Sequence, residues 1–195
     1  MTLAVQLGLP KTQRRAAAEL YWQAFGGKLG RVLGPDRAAL TYLERVMQHD
    51  HVLVATEDGR LVGLAGFKTA GGSFVGGTVD DLRAVYGRAG AMWRGVLLRF
   101  PRREADGSHF QMDGVCVARE ARGRGIGSRL VEAVCAEARR RGHAEVCLDV
   151  IDTNGRAKAL YERLGFSAAA EDRIGALRHV YGFRSVTTMV RRITS

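Results

Sequence analysis

The chain has 195 residues, 46% of them hydrophobic, which suffices for one domain with a sizeable core. No apolar run approaches the ~18 residues of a membrane span, and the N-terminus lacks the charged start and apolar stretch of a signal peptide, so a cytoplasmic protein without a membrane partner is expected. Of the 30 basic residues behind the net charge of +10, 26 are arginine, and no basic cluster interleaved with aromatics accompanies them, which disfavours nucleic acid as the partner.

After a loose start, Thr12 is positioned to cap a helix through about Phe25, with Ala17, Leu20, Tyr21 and Ala24 at helical spacing. Asp36 opens a second helix with the stripe Ala39, Leu40, Leu43, Val46 and Met47, and His49 to His51 break that pattern. Val52 to Thr56 and Leu61 to Phe67 read as two strands of a hairpin around Asp58-Gly59. Ala70 to Gly77 is rich in glycine and is expected to be mobile. Thr78 with Asp81 then predicts a capping box for a long helix whose face is Leu82, Val85, Ala89, Met92, Val96 and Leu97, ended by Pro101. Arg102 to Ser108 is a charged loop before a strand from His109 to Ala118.

Next comes Arg122-Gly123-Arg124-Gly125-Ile126-Gly127-Ser128, with a hydrophobic strand running in and an amphipathic helix running out to Arg139-Arg140-Arg141 and Gly142. Three glycines in five residues let the backbone turn tightly and approach a ligand, and the helix behind them offers unpaired N–H groups and the positive end of its dipole. The pattern predicts a phosphate cradle. A Walker loop would need Gly-Lys-Ser/Thr after four spacers, and a dinucleotide fingerprint needs Gly-x-Gly-x-x-Gly, whereas these glycines are spaced two and two. A second strand, Ala144 to Ile151, leads to Asn154 and to Tyr161-Glu162-Arg163-Leu164-Gly165-Phe166, and a polar stretch from Ser167 precedes a final strand pair ending in Ser185 to Ile193. Cys116, Cys135 and Cys147 are odd in number and at no metal-ligand spacing, so reduced thiols and no metal are expected.

Taken together, Arg-x-x-Gly-x-Gly at Arg122, Gly125 and Gly127, the valine-bearing strand before it, and Asn154 seven residues ahead of Tyr161 in a Tyr-x-x-x-Gly-Phe ending resemble the GNAT superfamily of acyl-CoA N-acyltransferases. The resemblance is carried by residues 109–167. It implies a single α/β domain over residues 1–195, with a helical insertion at about 71–108 and a mixed central sheet, flanked by helices, that splays between its two central parallel strands. It implies acetyl-CoA as co-substrate, with the pyrophosphate held by the backbone from Arg122 to Ser128 and the pantetheine arm by the main chain of Val115, Cys116 and Val117 and by Asn154. Asn154 reads equally well as a helix N-cap. The implied reaction is direct acetyl transfer to a primary amine in a ternary complex, the acceptor being a small amine, an aminoglycoside-like molecule or a protein amine, and the chain either a monomer or a homodimer. Tyr161 stands at the family position for a general acid, and Ala157, Leu160, Tyr161 and Leu164 also form an apolar stripe in which it could simply pack.

Strand parity groups His109, Gln111, Asp113, Val115 and Val117 on one side, and Phe110, Met112 and Cys116 on the other, if no bulge intervenes. Asp113 and Asp149 are the candidate bases, Asp149 five residues before the asparagine as in one family pattern. Another family base position falls on Gln111, which cannot act as a base at neutral pH. Cys116 lacks an identifiable activating partner and reads as a core residue rather than an acyl carrier. A non-catalytic acyl-CoA-binding domain is the alternative, and it would dispense with Tyr161 and the carboxylates.

Overall fold

The computed structural model of the protein describes residues 2–99, 110–175 and 178–193, so His109 and the Arg102–Ser108 loop lie outside the described residues. Its centre is an eight-stranded mixed sheet in the order β1 (Leu3–Leu7), β2 (Val52–Glu57), β3 (Arg60–Thr69), β5 (Phe110–Val117), β6 (Glu145–Ile151), β8 (Ser185–Arg192), β7 (Ser167–Arg173), with the short β4 (Gly72–Ser73) beside β3. Every pairing is antiparallel except that of β5 with β6.

That parallel pair decides where the sheet opens. Phe110, Met112 and the residue between them pair with Val146–Leu148, and beyond Met112 the two strands share no further ladder. From there β5 stays with β3 while β6 stays with β8, so the sheet opens into a wedge.

Helices cover both faces. Helix α4 (Ile126–Arg140) lies on one, with Ile126 and Leu130 filling the space above Gly63, where an added Cβ would stand 3.0 Å from Leu130. Helix α1 (Arg14–Leu33) lies on the other, its Phe25 ring 2.8 Å from where a Cβ of Gly114 would be, and α2 (Asp36–Val46) packs beside it. Helix α5 (Gly155–Arg163) follows β6, and a short α6 (Arg178–Tyr181) joins β7 to β8.

Four local expectations change. The loose start contains β1, an edge strand whose pairing with β2 no short-range signal announces. Thr12 lies in a 3-10 turn, Lys11–Gln13, and α1 begins at Arg14 with no side-chain cap, then runs through Gly26, Gly27 and Gly30 to Leu33 because Val32 and Leu33 are buried at its far end. The glycine-rich stretch is pinned by β4 and by Phe74, which is fully buried against Gly66 and donates its own N–H to the Phe67 carbonyl at 3.1 Å. The fourth change concerns α3 (Val79–Arg99). Its start follows the expected capping box, Asp81 N–H donating to Thr78 Oγ1 at 3.2 Å and Thr78 N–H to Asp81 Oδ2 at 2.9 Å. Its single apolar face does not survive, because Gly87, at φ 69° and ψ 177°, kinks the helix and rephases it. Leu82 before the kink and Ala91 after it are buried, whereas Met92 and Val96 are 73% and 68% exposed. Tyr86, donating to the Leu33 carbonyl, and Arg94, bonded to the Gly34 carbonyl at 3.1 Å, fix α3 to the end of α1.

Candidate active site

The glycine loop forms by local backbone chemistry. Gly123 and Gly125 take φ of 78° and 75°, the left-handed region that side chains resist, and Gly125 is the N-cap of α4 without a capping side chain. The first bond within α4 is from Arg129 N–H to Gly125 O, so the N–H groups of Ile126, Gly127 and Ser128 have no partner inside the helix and point out of its positive end. Arg124 faces away and forms a two-point ion pair with Glu57, which ties the loop to the end of β2 and holds the Glu57 carboxyl below its usual range.

The wedge supplies a second set of main-chain groups. Ala118 donates to the Val62 carbonyl at 2.9 Å, and residues bonding across an antiparallel pair alternate, so Cys116 and Gly114 direct their main-chain groups to β3. Those of Val115 and Val117 point into the gap left by β6, where the Val117 carbonyl accepts from Arg122 Nε at 3.1 Å. Cys116 therefore presents neither backbone nor side chain to the gap: its thiol is buried in the core, and burial pushes its pKa up.

Parity along β5 breaks at Asp113. Phe67 pairs with Met112 and Gly66 with Gly114, leaving Asp113 as an extra residue in a β-bulge. Gln111 consequently shares a face with Gly114 and Cys116, while Met112 falls in with Val115 and Val117, and the row expected from simple alternation is split. The consequence is two cavities rather than one continuous polar-to-apolar groove. One, of about 400 Å3, lies over Val115 and Val117 and is lined by Arg122, the three loop glycines and the α5 side chains Arg156, Leu160, Tyr161 and Arg163. The other, of about 240 Å3, lies on the α1 side and brings together Gln111, Asp113 and Asp149 with Tyr21, Tyr42 and Lys68.

Tyr161 is buried on the wall of the first cavity, its ring 5.9 Å from that of Phe166, and burial pushes its phenol up to about 12. Asp149 lines the second cavity, accepting from Thr188 Oγ1 at 2.8 Å and Gln111 Nε2 at 3.2 Å. Asn154 is the N-cap of α5, its side chain accepting from Ala157 N–H at 3.4 Å, and neither it nor Arg124 lines the cavity over Val115 and Val117.

The description "Acetyltransferase (GNAT) family" fits a model matched over residues 14–166 of this chain. The chain belongs to the GNAT family. Within curated proteins, this GNAT chain is 44% identical over 55 residues to the 5-NmdU N-acetyltransferase of Pseudomonas phage PaMx11, covering 28% of the chain and 37% of that protein. It is 35% identical over 81 residues to the probable N-acetyltransferase camello of Xenopus tropicalis, 42% of the chain and 36% of that protein. The chain thus matches little more than a third of the length of either relative. The fold matches the N-acetyltransferase from Staphylococcus aureus Mu50 with a TM-score of 0.69 at 16% identity, over 96% of this chain and 99% of that one. It also matches yncA of Salmonella typhimurium, solved with acetyl-CoA, with a TM-score of 0.61 at 18% identity, over 100% and 96%.

In this GNAT fold the sequence alone did not single out Arg156 and Arg163, which reach the cavity over Val115 and Val117 from α5 with Leu160 between them. Their spacing of seven residues, two helical turns on the helix that carries Tyr161, was the available signal. Among the described residues no cluster of His, Cys, Asp and Glu could hold a metal ion, and no helix is long and apolar enough to cross a membrane.

Proposed function

We propose that the protein transfers an acetyl group from acetyl-CoA to a primary amine, directly, with both substrates bound. The observation that carries this reading is the pair of cavities flanking the stretch of β5 that leaves β6: a cationic one at a helix N-terminus, over Val115 and Val117, and one containing two carboxylates on the α1 side, beside Met112 and Asp113. Phosphates suit the first, where the N–H groups of Ile126, Gly127 and Ser128 converge with Arg122, Arg156 and Arg163. The main chain of Val115 and Val117 is oriented to take the pantetheine amides as a strand would.

Two proton transfers define the chemistry. The ammonium form of the acceptor must lose a proton before its lone pair can attack the thioester carbonyl, and the departing thiolate, whose parent thiol titrates near ~8.5, must gain one. Tyr161, held neutral by burial, donates to the leaving sulfur and is reprotonated by the second proton that the nitrogen loses on becoming an amide. Asp113, at the bulge where the two strands separate, takes the ammonium's proton directly or through water, and Asp149, oriented by Thr188 and Gln111, holds the cation. The products are the acetamide, the free thiol and one proton released to solvent.

Rate profiles of Asp113→Asn and Asp149→Asn against pH test the assignment. Asp113→Asn should abolish the acidic limb of kcat/KM, whereas Asp149→Asn should raise the KM for the amine and keep the limb. An acidic limb unchanged in both variants would refute a carboxylate base.

A further inference from the structure

We propose that the protein acetylates itself on Lys28, whose side-chain amine takes the acetyl group from acetyl-CoA bound to the same chain when no other acceptor is present. This rests on the acetyl-transfer reading above and adds a modification site to it.

The pattern of α1 singles out the position. Ala18, Tyr21, Phe25, Lys28 and Val32 follow one another at spacings of three, four, three and four, the repeat that keeps side chains on one face of a helix. Ala18, Tyr21 and Val32 are buried and Phe25 packs against the core, so an apolar side chain is expected at position 28. The sequence instead places there one of its four lysines, the others being Lys11, Lys68 and Lys158. That face of α1 crosses the opening of the sheet. Phe25 lies against Gly114 of β5, beyond the point where β5 and β6 part, and Val32 packs with Tyr181 and Phe183, which lead into β8 on the far side of β6. Lys28 stands between these two anchors, about 4.5 Å along the helix from Phe25 and about 6 Å from Val32. Its side chain is half-buried, with Nζ 5.8 Å from the centroid of the Phe25 ring. Leu29 and Leu33 of the same helix line the α1-side cavity.

A lysine so placed is a primary amine on the acceptor face of the wedge. Burial lowers its pKa, so at a given pH more of it is the free amine than of a solvated lysine. In the transfer, Nζ attacks the thioester carbonyl, the C–N bond forms and the C–S bond breaks. The sulfur takes its proton from Tyr161, and the nitrogen gives up two protons, one to solvent and one that restores Tyr161. The resulting amide is neutral and no longer holds a charge on a buried helix face.

The test incubates the full chain with acetyl-CoA carrying a deuterated acetyl group, without added amine and at several protein concentrations, and locates the label by intact mass and peptide mapping. Label should appear on Lys28 at least tenfold faster than on the exposed Lys11 and Lys158, with a rate constant independent of protein concentration. Tyr161→Phe should slow that labelling at least tenfold, and Gly127→Glu, which puts a negative charge in the glycine loop, should reduce it to the rate of Lys11. Lys28→Arg should keep the parent's melting temperature and show only the slow labelling of the exposed lysines. Equal labelling of Lys28, Lys11 and Lys158, preferential labelling of Lys68, a rate constant proportional to protein concentration, or undiminished labelling in Gly127→Glu would overturn the proposal. A rise in melting temperature with acetyl-CoA but no label on Lys28 overturns self-acetylation alone. Absence of both the rise and the label overturns the acetyl-transfer reading with it.

Discussion

Tyr161 packs, and in the proposed reaction it also donates a proton; both roles draw on the same burial. The apolar stripe of α5 buries its ring beside Phe166, and that burial pushes the phenol to about 12, so it remains protonated across any practical assay range. Tyr161→Phe keeps the packing and removes the proton, and should lower kcat by about 10²–10⁴-fold while changing acetyl-CoA affinity only a few-fold. A basic limb of the rate profile below about pH 10 should be the same in both proteins, since a phenol raised to about 12 does not titrate there. Unchanged turnover with chemistry rate-limiting would assign the residue to packing alone. The position was legible from the Tyr-x-x-x-Gly-Phe spacing. Its degree of burial was not, because that depends on how Phe166 and the wall of the wedge meet the ring.

At the level of elements, the capping box of α3 was readable because both partners lie within four residues of each other. Asp81 also pairs with Arg45 of α2 at 2.7 Å, so one carboxylate caps α3 and ties it to α2. Hydrogen bonds from the Thr78 backbone and hydroxyl, followed by that from Arg45, hold its carboxyl below the usual range. A depressed folded pKa means that this stabilisation is present above the ordinary carboxylate value and is lost as pH falls through the depressed one. Asp81→Ala should cost about 0.5–2 kcal/mol at neutral pH by chemical denaturation. The difference from the parent protein should shrink as pH drops below about 4. The apolar face of the same helix does not follow from residue spacing, since a periodicity count assumes one phase and Gly87 resets it at φ 69°.

For the molecule as a whole, the reading requires the loop, the wedge and α5 to act as one binding surface. Gly127 tests this. Its added Cβ would meet Leu160 at 3.6 Å and Val117 at 3.9 Å, ordinary contacts, and as the second residue of α4 it favours a negative charge on the fold's own account. Gly127→Glu should therefore fold normally and yet repel a pyrophosphate. In the parent protein, acetyl-CoA at about 100 times its Kd adds about 2.7 kcal/mol of stability, a rise of several degrees in melting temperature for a chain of this size. That rise should vanish in Gly127→Glu, and should weaken with salt in the parent because Arg122, Arg156 and Arg163 line the cavity. An undiminished shift in the variant would remove acetyl-CoA from this cradle.

What the sequence determined by itself is the run from Phe110 to Phe166: two strands, the glycine turn, α4, and the Asn154 and Tyr161 spacing, and with them the family. These are local signals, in which a glycine states its own φ and an apolar stripe its own period. Only the tertiary structure decided the bulge at Asp113, the pairing of β1, the split into two cavities and the arrival of Arg156 and Arg163 at one of them. Each depends on which residue of a distant strand or helix stands opposite. Asp113 is an extra residue only because Gly66 and Phe67, more than forty positions earlier, pair with Gly114 and Met112. Register between segments so far apart is set by the packing of the whole sheet between α1 and α4, and no window along the chain contains it.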